Sequence, residues 1–251
     1  MKKGLSVLSV LILTCLLMAF VVLPTVAQAA GQRPISEKWT FEVVPYLWFM
    51  SLNGTMGVKG QTADIDASFG DIWEVTDFAG AIAGTARKDR WLISGNLLYA
   101  KLGDSQDLPV PATLDWTFKE TIFEFFGGYR PAFLGPVELL AGGRYWNFDM
   151  DLDFELGPSV GGSENWVDPL VGFLIPYDLT DKWTADLRAT IGGFGVASDL
   201  TWEIGAAVGY NFKDWLNVSL AYNHLDVDYE NDGFLADFAL SGAAVAVKFK
   251  F

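Results

Sequence analysis

The stretch Trp183-Thr184-Ala185-Asp186-Leu187-Arg188-Ala189-Thr190-Ile191 puts a lipid-compatible side chain at every odd position and a polar one at every even position. Successive side chains of a strand point to opposite faces, so this segment has one apolar face and one polar face. The pattern returns in Trp202, Ile204, Ala206, Val208, Tyr210 and Phe212, which alternate with Glu203, Gly205, Ala207, Gly209 and Asn211. It returns again where Leu216, Val218, Leu220 and Tyr222 alternate with Asn217, Ser219, Ala221 and Asn223, and in the closing run Ala243, Val245, Val247, Phe249, Phe251 against Ala244, Ala246, Lys248, Lys250. Period-two patterning over about nine to eleven residues is the mark of a membrane-spanning β-strand. A soluble β-sandwich also alternates, but its water-facing side carries many long charged residues. Here the apolar faces end in aromatics such as Trp183, Trp202, Tyr210, Phe212 and Phe249, and the opposite faces are rich in Gly, Ala and Ser, as a crowded barrel interior requires.

The N-terminus reads differently. Met1-Lys2-Lys3 precedes an apolar run from Leu5 to Leu23, then Pro24 and the small-residue site Ala27-Gln28-Ala29-Ala30. This is the charged, apolar and cleavage-site order of a secretory signal peptide, which assigns residues 1–29 to the signal and residues 30–251 to one mature domain; an uncleaved anchor is the alternative. After Ala30 no apolar run reaches the eighteen or so residues of a spanning helix. The only cysteine, Cys15, lies inside the signal between Thr14 and Leu16, without the flanks of a lipoprotein site, so the mature chain has no thiol or disulfide chemistry. Loss of Lys2 and Lys3 takes the formal charge from −14 to −16. Such a surface repels nucleic acid and favours cations.

Eleven strand-like runs are present, at about 39–50, 55–66, 78–87, 91–102, 113–130, 137–154, 164–178, 183–194, 202–212, 216–229 and 234–251. Bacterial single-chain barrels have an even number. The run 55–66 is the one to discard: Gly57, Lys59, Gly60, Gln61, Thr62, Asp64 and Asp66 leave it no lipid face. It reads as an outside hairpin followed by a helical turn around Asp71 to Asp77. The fold predicted is therefore all-β, an antiparallel transmembrane up-and-down β-barrel of about ten strands, with twelve as the alternative. Counting back from a periplasmic Phe251, the turns 87–90, 130–135, 179–182 and 211–214 are compact, while the outer connections 103–112, 157–164 and 230–233 are longer on average. That asymmetry fits outer-membrane barrels.

This assignment turns Glu42, Glu120, Glu124, Glu138, Asp168, Asp186 and Glu203 inward together with Arg87, Arg130, Arg144, Arg188, Lys248 and Lys250. Acids and bases nearly cancel. Unpaired charge in so narrow a space is costly, so cross-lumen ion pairs are expected. Eight-strand barrels are filled by their side chains and open channels belong to the sixteen-strand class, so ten strands predict a charge-plugged lumen. The expected role is structural or envelope-associated, a narrow porin-like channel for small solutes being the alternative.

Enzymatic chemistry finds little footing. The single histidine, His224, falls on the outward face near the outer membrane edge, where outer-membrane lipid-modifying enzymes place an H-x-S pair; here Leu225 and Asp226 follow it. Catalysis by serine needs a base within hydrogen-bond reach, and nothing in the sequence points to a serine on a neighbouring strand. No enzyme activity and no cofactor are expected. Two strands end in outward acids: Asp149, Asp151 and Asp153 on one, Asp226 and Asp228 on another. They read as solvated strand extensions. A sharper reading has them bind Ca²⁺ or Mg²⁺, which take oxygen ligands, and so bridge to lipopolysaccharide phosphates.

The run Gly142-Gly143-Arg144-Tyr145-Trp146-Asn147-Phe148-Asp149-Met150-Asp151, then Trp166-Val167-Asp168-Pro169-Leu170-Val171-Gly172, then Gly192-Gly193-Phe194-Gly195-Val196 with Asp199-Leu200-Thr201-Trp202, resembles a widespread group of uncharacterised bacterial outer-membrane β-barrel proteins. Phe251, closing Lys248-Phe249-Lys250-Phe251, resembles the C-terminal aromatic signal that such proteins present to the barrel-assembly machinery. The resemblance covers nearly all of the mature chain. It implies the outer membrane of a Gram-negative cell as location, with outer-membrane lipid, lipopolysaccharide and the assembly machinery as partners and no nucleic acid. It transfers no catalytic or transport residue, and an OmpA/OmpX-like or porin-like label is analogy of fold only.

Overall fold

A computed structural model describes residues 31–33, 35–58, 61–107, 113–155 and 157–251. The expected signal peptide, with Cys15, lies outside the described residues, as does the tip of an outer connection at 108–112. A short β1 (Gly31–Gln32) precedes β2 (Thr40–Val58), β3 (Gln61–Ala67), the helix α1 (Phe69–Glu74) and β4 (Thr76–Lys88). There follow β5 (Trp91–Asp107), β6 (Thr113–Tyr129), β7 (Glu138–Phe154), β8 (Val160–Asp178), β9 (Trp183–Gly193), β10 (Leu200–Lys213), β11 (Leu216–Asn231) and β12 (Phe234–Lys250).

From β4 to β12 each strand pairs antiparallel with the next, and β12 returns to β2, Ala246 opposite Tyr46 and Phe249 opposite Val43. Ten strands thus close on themselves, β2 and β4 through β12. The C-terminal residue finishes the closure: the Phe251 N–H donates to the Phe41 carbonyl at 2.9 Å, and the Phe41 N–H donates back to the Phe251 carbonyl at 3.1 Å. Closure satisfies the backbone where lipid offers no hydrogen bonds.

β3 stays outside the ring. It pairs only with the outer part of β2, Leu52 opposite Ala67 through Val58 opposite Gln61, forming the hairpin expected from its lack of a lipid face. The helix after it begins earlier than the expected turn and spans Phe69–Glu74, because Ser68 and Asp71 form a capping box. The Ser68 side chain accepts from the Asp71 N–H while the Asp71 carboxylate accepts from the Ser68 N–H at 2.8 Å, which satisfies two otherwise free donors. Diversion of β2 towards β3 leaves one seam incomplete. β2 pairs with β4 only from Thr40 to Tyr46, and Leu47–Ser51 faces Thr76–Gly80 with no cross-strand pairing.

Several strands run 17 to 19 residues, well beyond the nine to eleven or so needed to cross. Their outer ends therefore project past the membrane. One outer connection is as tight as a hairpin allows: Asp232 and Gly233 both have positive φ, 45° and 82°, the conformation of a type I′ turn whose twist matches the flanking strands.

The faces follow the alternation. Trp183, Leu187 and Ile191 point outward and are exposed, while Thr184 and Thr190 between them are buried. At the periplasmic rim a girdle of aromatics pairs across strands, Trp91 with Tyr129 at 4.7 Å and Trp183 with Tyr210 at 5.1 Å between ring centroids. The outer half of the lumen is filled by an apolar core including Trp146, Phe148, Trp166, Tyr229 and Phe238. Trp166 and Tyr229 stack face to face at 3.8 Å.

Candidate functional site

Below the aromatic core the interior is charged, in two layers. The middle layer is a cycle of four side chains from β6, β7, β9 and β10. Arg144 Nε donates to Glu124 Oε1 at 2.8 Å and Arg144 Nη2 to Glu203 Oε2 at 2.6 Å. Arg188 Nη2 donates to Glu124 Oε2 at 2.7 Å and closes the cycle towards Glu203 at 3.6 Å. Each guanidinium touches both carboxylates, so charges alternate around the cycle and sum to zero. The layer is extended across the lumen: the Tyr46 hydroxyl of β2 donates to Asn96 Oδ1 at 2.9 Å, and Asn96 Nδ2 donates to Glu124 at 3.4 Å. Thr201 accepts from Arg144 Nη1 at 3.0 Å, and the ring of Trp146 lies 5.4 Å from the Arg144 guanidinium carbon. Arg144 has 0% exposure and Glu124 2%. At that burial only complete pairing keeps both ionised forms tolerable.

The lower layer lies at the periplasmic mouth. Arg87 bridges Glu42 at 2.8 Å and Glu138 at 3.4 Å, and Arg130 Nη2 donates to Glu138 at 2.6 Å. Lys248 lies 3.4 Å from Asp186 and 4.0 Å from Glu42. Into this layer comes a residue that strand alternation does not reach. Arg33, in the segment before β2, donates to Asp186 at 2.7 Å and to Asp178 at 3.3 Å, and its carbonyl accepts from Arg130 Nη1 at 2.8 Å. The segment is anchored at one end by β1 on β8, Gly31 opposite Asp178. At the other, the Ser36 carbonyl accepts from the Asp89 N–H of the β4–β5 turn. β8 lies five strands from β2 in either direction around the ring, so residues 31–33 and 35–39 lead across the mouth from one side to the other.

Three of the expected inward charges stand differently. Asp168 is buried but meets no cation. Its carboxylate accepts from Trp146 Nε1 at 2.9 Å, Trp166 Nε1 at 3.0 Å, Ser198 Oγ at 2.8 Å and the Ser198 N–H at 2.9 Å, four neutral donors in place of an arginine. Glu120 is buried against the apolar core and has no ion-pair or hydrogen-bond partner among the described residues, because the side chains at its level are Ala100 and Phe148. Lys250 donates to Asn211 Oδ1 at 3.2 Å instead of an acid. The other ten stand in the two layers. Arg33, Asp178, Thr201 and Ser198 are the partners that sequence reasoning missed; a lone arginine between the signal and the first strand was the one available sign.

Of the outer acids, Asp149 and Asp151 flank Lys119, which lies 3.5 and 3.3 Å away, and Asp153 stands apart. Asp228 faces Asp237 directly across β11 and β12, and Asp226 faces Ala239. Partial burial, followed by the charges of Asp237, Asp199, Asp226 and Glu230, pushes the Asp228 carboxyl above the ordinary range. Among the described residues no group of three or more His, Cys, Asp or Glu side chains is arranged to hold a metal ion. His224 does meet a serine, from the neighbouring strand: its Nδ1 and Ser241 Oγ are 2.6 Å apart, with Trp202 against the imidazole at 4.6 Å. No carboxylate of the described residues hydrogen-bonds the ring.

No family model matches the sequence, and no curated protein does. Solved structures do. The outer membrane protease OmpT from Escherichia coli aligns at TM-score 0.55 and 12% identity over 87% of this chain and 98% of its own. The translocator domain of the autotransporter NalP from Neisseria meningitidis aligns at TM-score 0.51 and 14% identity over 97% and 95%. Identities this low show the fold alone. A closed antiparallel barrel of that fold, apolar on its outer wall and charged within, belongs in the outer membrane of a Gram-negative cell.

Proposed function

We propose that this outer-membrane barrel is a sealed, non-conducting element of the envelope whose interior serves stability and whose wall and outer rim do its work. The observation that carries this reading is the buried cycle of Glu124, Arg144, Arg188 and Glu203 beneath a packed aromatic core, two layers that support a lumen without a continuous polar path. The motifs that resemble uncharacterised outer-membrane barrels fit the same reading. Arg144, Trp146, Trp166, Asp168 and Thr201 all lie in those motifs, and all build the filled interior. In this reading the protein has no catalytic role. Its partners are the surrounding lipid and lipopolysaccharide, with divalent cations between acidic rim and phosphates, and the assembly machinery that receives Phe251.

Planar-bilayer recording of the refolded mature protein is the test. The expected result is a silent membrane at every holding potential that the bilayer survives. Large, stable open-channel steps from the wild-type protein would overturn the proposal and favour a channel.

A further inference from the structure

The lipid-facing wall carries a groove at the periplasmic end of β5, β6 and β7, with a volume of about 520 Å³. That lies within the roughly 300–1,000 Å³ range of ligand pockets. Ile93, Gly127 and Ala141 form one row across the three strands, and Trp91, Tyr129 and Leu139 form the next row towards the periplasm. The groove exists because the first row is small: Gly127 has no side chain and Ala141 only a methyl, while the residues around them stand out from the wall. Backbone pairing is complete here. Residues 91–93 pair with 127–129, these pair with 139–141, and β4 and β8 complete the far sides of β5 and β7. The wall therefore leaves no backbone donor or acceptor open to the groove. The polar side-chain atoms of the two rows are the Trp91 indole N–H and the Tyr129 hydroxyl, both in the row nearest the periplasm.

Arg90 stands at the periplasmic end of this groove, next to Trp91. Its carbonyl accepts from the Arg130 N–H at 2.8 Å, and its Nη1 donates to the Arg130 carbonyl at 3.3 Å, which holds the guanidinium beside Tyr129 on the rim. Arg87 and Arg130 are both engaged by Glu138, but among the described residues no acid pairs with Arg90. Lys88, exposed in the same turn, also makes no ion pair among them, and neither does Asp89 between the two. A guanidinium fork matches phosphate oxygens, and at the rim it sits at headgroup level. The chain as a whole has a formal charge of −14, so an anion is repelled from most of its surface and held only where a cation stands without an acid.

These observations select one occupant. Water needs two to four or so polar partners and finds almost none in the groove, whereas an acyl chain restores the dispersion contacts that the gap over Gly127 and Ala141 forfeits. We propose that the groove is a binding site for one anionic phospholipid of the periplasmic leaflet, an acyl chain lying over Gly127 and Ala141 and the phosphate on Arg90. The site deepens the lipid partnership of the proposed function and rests on that part of it alone. A conducting lumen would leave it standing, and its failure would leave the lumen sealed, because conductance reads the barrel axis and lipid retention reads the wall.

The test is native mass spectrometry of the whole mature barrel, refolded in a non-ionic detergent and titrated with phosphatidylglycerol or with phosphatidylcholine of the same acyl chains. One phosphatidylglycerol is expected to be retained per barrel at a concentration several-fold below that needed for phosphatidylcholine. Arg90→Gln is expected to bring the two lipids to the same concentration. Lys213→Gln, which removes an equal charge at the β10–β11 turn across the barrel, is expected to keep the preference. A Cβ at Gly127 meets only the Ala141 carbonyl, at 4.0 Å, so Gly127→Leu fills the groove at ordinary contact distance and is expected to weaken both lipids. Heat-modifiable gel mobility shows that each variant has closed. Equal retention of the two lipids by the wild type would overturn the proposal, as would a preference that survives Arg90→Gln or is lost equally in Lys213→Gln. Retention unchanged in closed Gly127→Leu would do the same, and so would a second barrel held in place of lipid and released by that variant.

Discussion

Arg144 has no exposed surface and four charged or polar acceptor contacts, so its contribution is read best by removing it. Arg144→Met leaves Glu124 and Glu203 buried with Arg188 as their only counter-charge, and breaking a buried pair from one side costs about 3–5 kcal/mol. Urea unfolding of the refolded barrel in vesicles is expected to show a loss of that order. Arg144→Met combined with Glu124→Gln leaves one acid beside one base and is expected to recover part of it; strict additivity would show that the cycle is not coupled. The outer rim gives the opposite sign. Asp228 titrates above its ordinary range because of burial and, next, Asp237. A carboxyl with a raised folded pKa binds its proton more tightly in the folded state. Stability therefore rises as pH falls through that pKa, and the full penalty is present above it. Asp237→Asn is expected to stabilise the barrel by a few tenths of a kcal/mol at neutral pH, allowing for solvent screening, and to flatten this part of the pH dependence. Unfolding measured from pH 4 to pH 8 or so checks both.

Among the elements, the ten spanning strands were legible because alternation reports directly which side chain meets lipid, and β3 was set aside by the same rule. Helix α1 is only half legible: the sequence shows a helical turn near Asp71, whereas its start rests on Ser68-x-x-Asp71, which has Asp where the capping-box signature carries Glu or Gln. Asp71 holds its carboxyl below the ordinary range through the Ser68 side chain and backbone N–H. The capping contribution of this depressed group is present above the ordinary carboxylate range and is lost as pH falls through its folded pKa. Ser68→Ala is expected to speed amide exchange across residues 69–74 at neutral pH while leaving global unfolding almost unchanged. Acidification through the lowered folded pKa of Asp71, below the ordinary carboxylate range, should mimic it in the wild type. Unchanged exchange in the variant would mean that packing of Phe69 on Phe49, and not the cap, holds the helix.

For the whole molecule, alternation told which charges turn inward but not what stands across from them. The partners of Asp168 come from β7, β8 and the segment between β9 and β10, and those of Arg33 from strands on the far side of the ring. Arg33→Ala is expected to lower the unfolding midpoint modestly, since Asp186 keeps Lys248, and to leave the bilayer silent, since the aromatic core above is untouched. Current appearing in this variant alone would place the seal at the mouth instead. The crossing from β1 on β8 to the start of β2 has a mechanical side as well. A hoop under lateral pressure yields by becoming oval, and a tie between opposite points of its rim resists that at small cost in material. This barrel is tied at the periplasmic rim and slit at the outer one, where β2 and β4 part. Squeezed by its membrane, it should stay round below and give way above, so that shape change is confined to the leaflet that faces the outside.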